Sequence, residues 1–285
     1  MRPSLVLPLL VVVAPPAFGQ RPQTLPPVDS AAVIKFDMKK GRDRVGHVVA
    51  ADDTSLTVVT FAGARVALLQ DSIKEWHRLH GSLTPGGWRP TDLTTNHLFF
   101  APTARTTRAG SCCSVGDINV FMPTFGYGVN DRVMFSAGFS FLEGFDSAGH
   151  RDDSGLAFAN AKVGLGSGRL VAAAVGAFWG RYKSEGRGGS VGAGYGVVTL
   201  GSNDHAVTVL GGYPFATAGF APDPIVMLGG ETRLTRRLKL ITEFWRLPQM
   251  RGVSAMYGAR WLGDEFSLEL GTGSYPVWMA IKAGW

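Results

Sequence analysis

The sequence predicts an all-β protein: an antiparallel transmembrane β-barrel of about twelve strands behind a small five-stranded β domain. From Asn96 onward, stretches of roughly nine to eleven residues alternate apolar and polar positions, the length a tilted strand needs to cross a bilayer. Tight turn signals and longer connections alternate between these stretches. Glycine is abundant (38 of 285 residues) without a collagen-like period, which suits turns and closely curved strands better than helices.

The first residues read as an export signal. Arg2 supplies a positive start, Leu5 to Ala14 an apolar core, and Ala17-Phe18-Gly19 the small residues that a signal peptidase reads. Residues 1–19 are therefore expected to be a signal peptide, with no lipidated cysteine after it. No later stretch is a candidate transmembrane helix. Formal charge is only +6, with no basic run interleaved with aromatics, so nucleic acid is not an expected partner. Cys112 and Cys113 are neighbours in sequence. Adjacent Cα atoms lie about 3.8 Å apart, below the usual disulfide span. The pair is read as two small apolar residues, with a strained redox pair as the alternative.

Residues 20–30, rich in proline, form a linker. Residues 31–80 then carry short β segments at Val33–Phe36, Val45–Val49, Leu56–Phe61, Val66–Leu69 and Ile73–Trp76. Turns at Lys40-Gly41-Arg42, Ala51–Thr54 and Ala62-Gly63-Ala64 separate them, a pattern for a strongly bent small sheet or barrel. Lys40-Gly41, Gly46-His47-Val48, Phe61-Ala62-Gly63 and Ile73-Lys74 resemble the corresponding parts of Sm-like small barrels. That resemblance implies a module facing a periplasmic protein or peptidoglycan; a folded spacer is the plainer reading. Residues 81–95, with Pro85-Gly86-Gly87 and Pro90, are expected to be a second linker.

Residues 96–285 are assigned to the barrel. Its strands are read as Val115–Tyr127, Val133–Leu142, Leu156–Leu165, Arg169–Gly180, Ser190–Leu200 and His205–Tyr213. Pro224–Leu234, Leu238–Trp245, Gly252–Leu262, Phe266–Gly271 and Val277–Trp285 follow. Asn130-Asp131, Gly166-Ser167-Gly168, Ser202-Asn203-Asp204, Thr235-Arg236-Arg237 and Gly263-Asp264-Glu265 are hairpin signals. They alternate with longer connections at Glu143–Gly155, Arg181–Gly189, Pro214–Asp223, Arg246–Arg251 and Thr272–Pro276. A barrel with both ends on the short-turn side needs an even number of strands. His97–Ala101 is the natural extra one, which gives twelve, bounded by ten and fourteen because Pro123 interrupts the first long strand.

The period of two then assigns faces. A Lys or Arg facing lipid at mid-membrane costs about 2–4 kcal/mol, so Lys162, Glu231, Arg233, Lys239, Glu243, Arg260, Glu269 and Lys282 are placed in the lumen. Trp261, Phe266 and Trp285 are expected at one rim, with Trp179, Tyr213 and Trp245 at the other. Val277, Met279, Ile281, Ala283 and Trp285 alternate toward a terminal aromatic. This resembles the strand that barrel-assembly machinery recognises, so that machinery and the lipid bilayer are expected partners.

A second resemblance spans Asn96 to Ser140. Asn96-His97-Leu98-Phe99-Phe100-Ala101-Pro102-Thr103-Ala104-Arg105, Phe121-Met122-Pro123 and Gly126–Arg132 look like bacterial outer-membrane barrel proteins of uncharacterised function. Those have an "N-x-x-x-L-F-F-A-P-T-x-R" opening before a "Y-G-V-T-D-R" hairpin. Here one residue, His97, separates Asn96 from Leu98, Asn130 replaces Thr, and Cys112-Cys113 replace aromatics. The likeness implies an envelope barrel and brings no catalytic residues.

Two functional readings follow for the lumen charges. They filter small polar solutes in a pore, or they pair with one another in a closed, structural interior. An outer-membrane lipid-modifying enzyme is a third, poorer reading. His150–Ser154 has suitable residue types but no partner to orient them, and His97 and His205 lack metal-ligand spacing. The expectation is a non-enzymatic protein without catalytic residues, metal or cofactor.

Overall fold

The computed structural model describes residues 26, 28–84, 87–110, 112–117, 122–139, 144–145, 151–152, 155–168, 170–184, 187–216, 219–220, 223–248, 252–264, 266–274 and 278–284. The signal-peptide reading, His150, Val277 and Trp285 lie outside them. The chain divides into two compact units, Met1–Arg78 and Leu79–Trp285.

The first unit is a sheet of β1 (Asp29–Met38), β2 (Arg44–Ala51), β3 (Ser55–Thr60), β4 (Arg65–Leu69) and β5 (Ile73–Leu79). They are ordered β4-β3-β2-β1-β5, so the last strand returns to pair with the first. A single 3-10 turn, Gln70–Ser72, redirects the chain between β4 and β5. Alternate residues Ile34, Phe36, Val48, Leu56, Val58, Leu68 and Ile73 form the core. The β1–β2 connection holds Gly41 at φ +90°, a left-handed conformation that glycine adopts without steric cost. Between β2 and β3, the Asp52 carboxylate accepts from the amides and hydroxyls of Thr54 and Ser55, and these bonds hold its pKa down.

The second unit opens with a hairpin, β6 (Gly81–Thr84) and β7 (Gly87–Pro90), where a linker was expected. Residues 91–110 follow without joining any sheet, apart from a local bridge between His97 and Pro102. The barrel strands come next. The ascending series begins with β8 (Cys112–Asp117), β10 (Val133–Phe139), β12 (Val171–Ser184) and β14 (His205–Ala216). It ends with β16 (Leu238–Arg246) and β18 (Phe266–Gly273). Between them descend β9 (Met122–Asn130), β11 (Gly155–Ser167), β13 (Arg187–Gly201) and β15 (Ile225–Arg233). The descending series closes with β17 (Ser254–Leu262) and β19 (Trp278–Gly284). Each strand pairs antiparallel with its sequence neighbours, and β19 pairs with β8. Among the described residues the result is a closed, up-and-down barrel of twelve strands, with the two-residue strand Gly219–Phe220 added beside β14.

Twelve strands were expected, by a different route. His97–Ala101 is not a barrel strand. The stretch Val115–Tyr127 is instead two, β8 and β9, paired from Cys112↔Tyr127 to Asp117↔Met122. The stretch Arg181–Gly189, read as a loop, is mostly strand: β12 and β13 stay paired out to Ser184↔Arg187. Of the loop that carries His150–Ser154, Arg151–Asp152 is described, paired with Gly144–Phe145.

Alternation governs both barrel surfaces. Outward positions such as Phe125, Tyr127, Phe135, Val163, Val175, Val209, Leu228, Phe244 and Leu270 are exposed to the surroundings, as is most of the strands' large apolar surface. A continuous apolar belt of this kind is the surface that lipid covers, and in water it would be a severe association hazard. Trp179 and Tyr213 sit on this outer face near one end. Trp261 and Phe266 do so near the other, their rings 5.7 Å apart. Trp245, expected in the outer ring, shares the inward face of Glu243 and packs against the interior core.

The barrel interior as candidate functional site

Residues 92–105 run inside the barrel, in the half nearer the short turns. Leu98, Phe99, Ala101 and Ala104 are buried in one cluster with Ala172, Tyr195, Val197, Leu210, Met227, Ile241, Met256 and Ala280, from strands around the ring. Gly229 on β15 makes room for this segment, since a Cβ there would collide with Leu98. Gly128 on β9 does the same where the segment leaves, under the carbonyls of Thr107 and Arg108.

The residues placed in the lumen by alternation are all buried: Lys162, Glu231, Arg233, Lys239, Glu243, Arg260, Glu269 and Lys282. Their partners are this inner segment and one another. Leu98–Ala101 bends tightly, with the amide of Leu98 donating to the carbonyl of Ala101. The bend turns three successive amides toward one point. There Glu243 Oε1 accepts from Phe99 (2.6 Å), Phe100 (3.0 Å) and Ala101 (3.1 Å), while Oε2 accepts from Trp245 Nε1 (2.8 Å). Consecutive amides converging in this way form an anion-binding nest, and here a carboxylate of the wall fills it.

The segment's carbonyls are held by cations. Lys162 Nζ donates to the carbonyls of Asn96 (3.0 Å), Thr103 (2.9 Å) and Arg105 (2.6 Å). Arg260 donates to those of Leu98 (2.6 Å) and His97 (3.2 Å), and Lys282 also donates to that of Leu98 (3.1 Å).

Side-chain ion pairs complete the ties. Asp92 Oδ2 accepts from Lys239 Nζ (2.7 Å) and Arg260 Nη1 (2.9 Å), all three side chains being at most 1% exposed. Lys239 also reaches Glu231 Oε2 (2.6 Å), whose other oxygen accepts from Arg105 (2.8 Å). Glu269 Oε1 takes Arg260 Nε (2.5 Å) and Lys282 Nζ (2.7 Å). At the short-turn end, Arg233 donates to the carbonyl of Pro90 and pairs with Asp204, which also pairs with Arg89 of the β6–β7 hairpin. Trp88 Nε1 of that hairpin donates to Asp264 (3.0 Å). Fully desolvated charges are stable only when paired and hydrogen-bonded, and these ties supply both conditions.

The remaining histidines and the assembly strand have plainer surroundings. His97 Nδ1 bonds Asn96 Oδ1 (2.8 Å) inside the barrel, and His205 Nδ1 bonds Thr232 Oγ1 (2.6 Å) on its exposed side. Met279 and Ile281 face outward on β19, and Ala283 lies on the same strand. Asp92 and Arg105 are central to the interior and were not singled out from sequence. Arg105 is the last residue of the opening stretch on which the sequence resemblance rests; Asp92 lies within the expected linker.

No protein-family model and no curated relative matches the sequence. Among solved structures, the chain is similar to the KdgM porin in complex with disordered oligogalacturonate (7% identity, TM-score 0.45, 61% of this chain and 98% of that one). It is also similar to OmpT, an outer membrane protein of Vibrio cholerae, in a loop L8 deletion mutant (10% identity, TM-score 0.33, 89% and 96%). Likenesses of this degree say nothing of what this chain binds.

On the long-connection side of the inner segment lies a chamber of about 430 Å³. Phe99, Phe100 and Pro102 form its floor, and Phe158, Phe178, Tyr195, Leu210, Ile225 and Trp245 are among its walls. Phe100 is 49% exposed, so the segment offers an aromatic ring to this space and not a polar passage.

Proposed function

We propose that the chain is an outer-membrane β-barrel whose conduit is closed by its own segment Asp92–Arg105, leaving a chamber above it. The observation that carries this reading is the fate of the interior charges. Groups that could filter ions are committed to the segment's backbone or to carboxylates beside it. A filtering pore needs such groups facing water, at sites that an ion enters and leaves. The same commitment supports a non-enzymatic reading, because a general acid or base must be free to exchange a proton with a substrate. The small β domain is proposed to face the periplasm and to meet a protein or peptidoglycan there. The last strand is proposed to engage the assembly machinery through Val277, Met279, Ile281, Ala283 and Trp285.

Conductance in a planar bilayer tests closure. The protein lacking residues 1–19 is expected to be silent, and further deletion of residues 92–105 is expected to open discrete conductance steps. Charge-selective steps in the undeleted protein would restore the pore reading, with the lumen charges as its filter.

A further inference from the structure

We infer that the chamber is a binding site for an uncharged, predominantly apolar small molecule, with at most a hydrogen-bond-donating hydroxyl as its polar end. This rests on the closed-barrel reading, because the inner segment is the floor of the site. Three observations set the ligand class.

The volume, about 430 Å³, lies in the range of small-molecule sites, and aromatic and aliphatic side chains dominate the lining. Desolvating an apolar molecule against Phe100, Phe158, Phe178 and Trp245 is therefore the available driving force.

The cations beside the chamber are spent. Lys162 donates to three carbonyls, and Lys282 to Leu98 and Glu269. An anionic head would have to compete with these internal acceptors while losing its own hydration, which disfavours carboxylates and phosphates. Other polar groups at the walls are likewise engaged: Tyr195 with Asn160, and Trp245 with Glu243.

Two residues of the lining each carry a buried polar atom that lacks a hydrogen-bond partner among the described residues, Glu269 Oε2 and His97 Nε2. With Nδ1 of His97 donating to Asn96 Oδ1, Nε2 of the neutral ring is an acceptor, as is the carboxylate oxygen. A ligand's polar end, where it has one, must then donate. A hydroxyl satisfies that condition and a carboxylate does not.

The test uses the protein without residues 1–19 in lipid vesicles, with 10-bromodecanol and 10-bromodecanoate as tryptophan-quenching probes at pH 8. Bromodecanol is expected to give a saturable component above bilayer partition, and Trp245→Phe should remove it. Ala193→Phe and Ser136→Phe, which fill the chamber from two different strands, should each weaken it by at least about tenfold. Heat-modifiable gel migration verifies that every variant is folded, and the two filling variants guard against one failing. Bromodecanoate should bind at least about tenfold more weakly than the alcohol. Equal affinity for the two probes would overturn the exclusion of charge. Quenching that never saturates, or that all variants share, would overturn the site itself. Conductance of the same vesicles separates the two ideas: a silent barrel without saturable quenching loses the site alone, and a conducting barrel that keeps it loses the closure alone.

Discussion

Replacing Glu243 by alanine removes the acceptor on which the inner segment converges. The amides of Phe99, Phe100 and Ala101 and the indole N–H of Trp245 lose their partner together, in surroundings where Phe99 and Ala101 are 5% and 0% exposed. A buried donor left unsatisfied costs about 1–3 kcal/mol, so the buried amides of Phe99 and Ala101 alone give about 2 kcal/mol at the low end. A cost of that size multiplies the fraction of barrels with a displaced segment by about thirtyfold or more. Glu243→Gln keeps an acceptor oxygen but loses the charge, and it should fall between the two. The assay is the reaction rate of a cysteine at Ala101 with a water-soluble maleimide, in protein whose Cys112 and Cys113 are serine. Ala101→Cys alone should react slowly; combined with Glu243→Ala it should react at least about tenfold faster, with conductance appearing in parallel. If the combined variant folds, labels as slowly as its parent and stays silent, the nest does not hold the segment and the reasoning fails.

Other expectations concern the ion pairs, the lipid face and the small domain. Asp92→Asn withdraws the shared counter-ion of Lys239 and Arg260 and should cost about 3–5 kcal/mol, read as a lower urea midpoint of the heat-modifiable band. An unchanged midpoint would mean that water reaches these groups. Leu228→Arg puts a charge on the outward face of β15 and should cost about 2–4 kcal/mol of folding in vesicles, whereas an unaffected variant would deny that lipid covers this face. In the small domain, the Lys35 ammonium lies 2.8 Å from an Asp37 carboxylate oxygen, and this ion pair pulls the carboxyl pKa down from 3.8 and pushes that of Lys35 up from 10.5. The depressed Asp37 contributes stability that is present above the unfolded value and is lost as pH falls through the lower folded one. Asp37→Asn should therefore flatten the acid side of the hydrogen-exchange protection of β1 and β5, corrected for intrinsic rates. An identical profile for the two proteins would assign the acid sensitivity to other groups.

Much of the fold is legible because a strand has a period of two. Seven of the eight charged residues placed inward from sequence have an apolar neighbour that the structure leaves on the outer face, as with Glu269 between Leu268 and Leu270; Glu231, between Gly230 and Thr232, is the exception. Trp245 shows the limit of reading composition over parity. It was assigned to an aromatic ring at the rim, yet it stands two residues from Glu243 and therefore on the same inward face. The first long strand carried its own warning. The thirteen residues from Val115 to Tyr127 exceed what a tilted crossing needs, and Pro123 interrupts them. Both signs fit two strands better than one.

The inner segment was hidden for a different reason. Periodicity reports which face a side chain occupies and nothing about what meets it there. Leu98-Phe99-Phe100-Ala101 is apolar enough to pass for a short strand, and an even strand count requires one when Val115–Tyr127 is taken as a single strand. Its backbone partners lie more than a hundred residues away, with Glu243 on β16 and Arg260 on β17. A backbone that joins no sheet must still satisfy its amides and carbonyls, and a barrel interior can do this only with side chains. That requirement gives the buried charges a role that neither reading drawn from the sequence contained. Besides pairing with one another, they serve the backbone of the segment. A carboxylate gathers the amides of a bend, a lysine gathers carbonyls, and an aspartate from the segment joins two cations of the wall. In water each of these contacts would be weak. Inside the barrel the alternative is an unsatisfied group, so together they fix one conformation of a segment whose own short-range interactions could not.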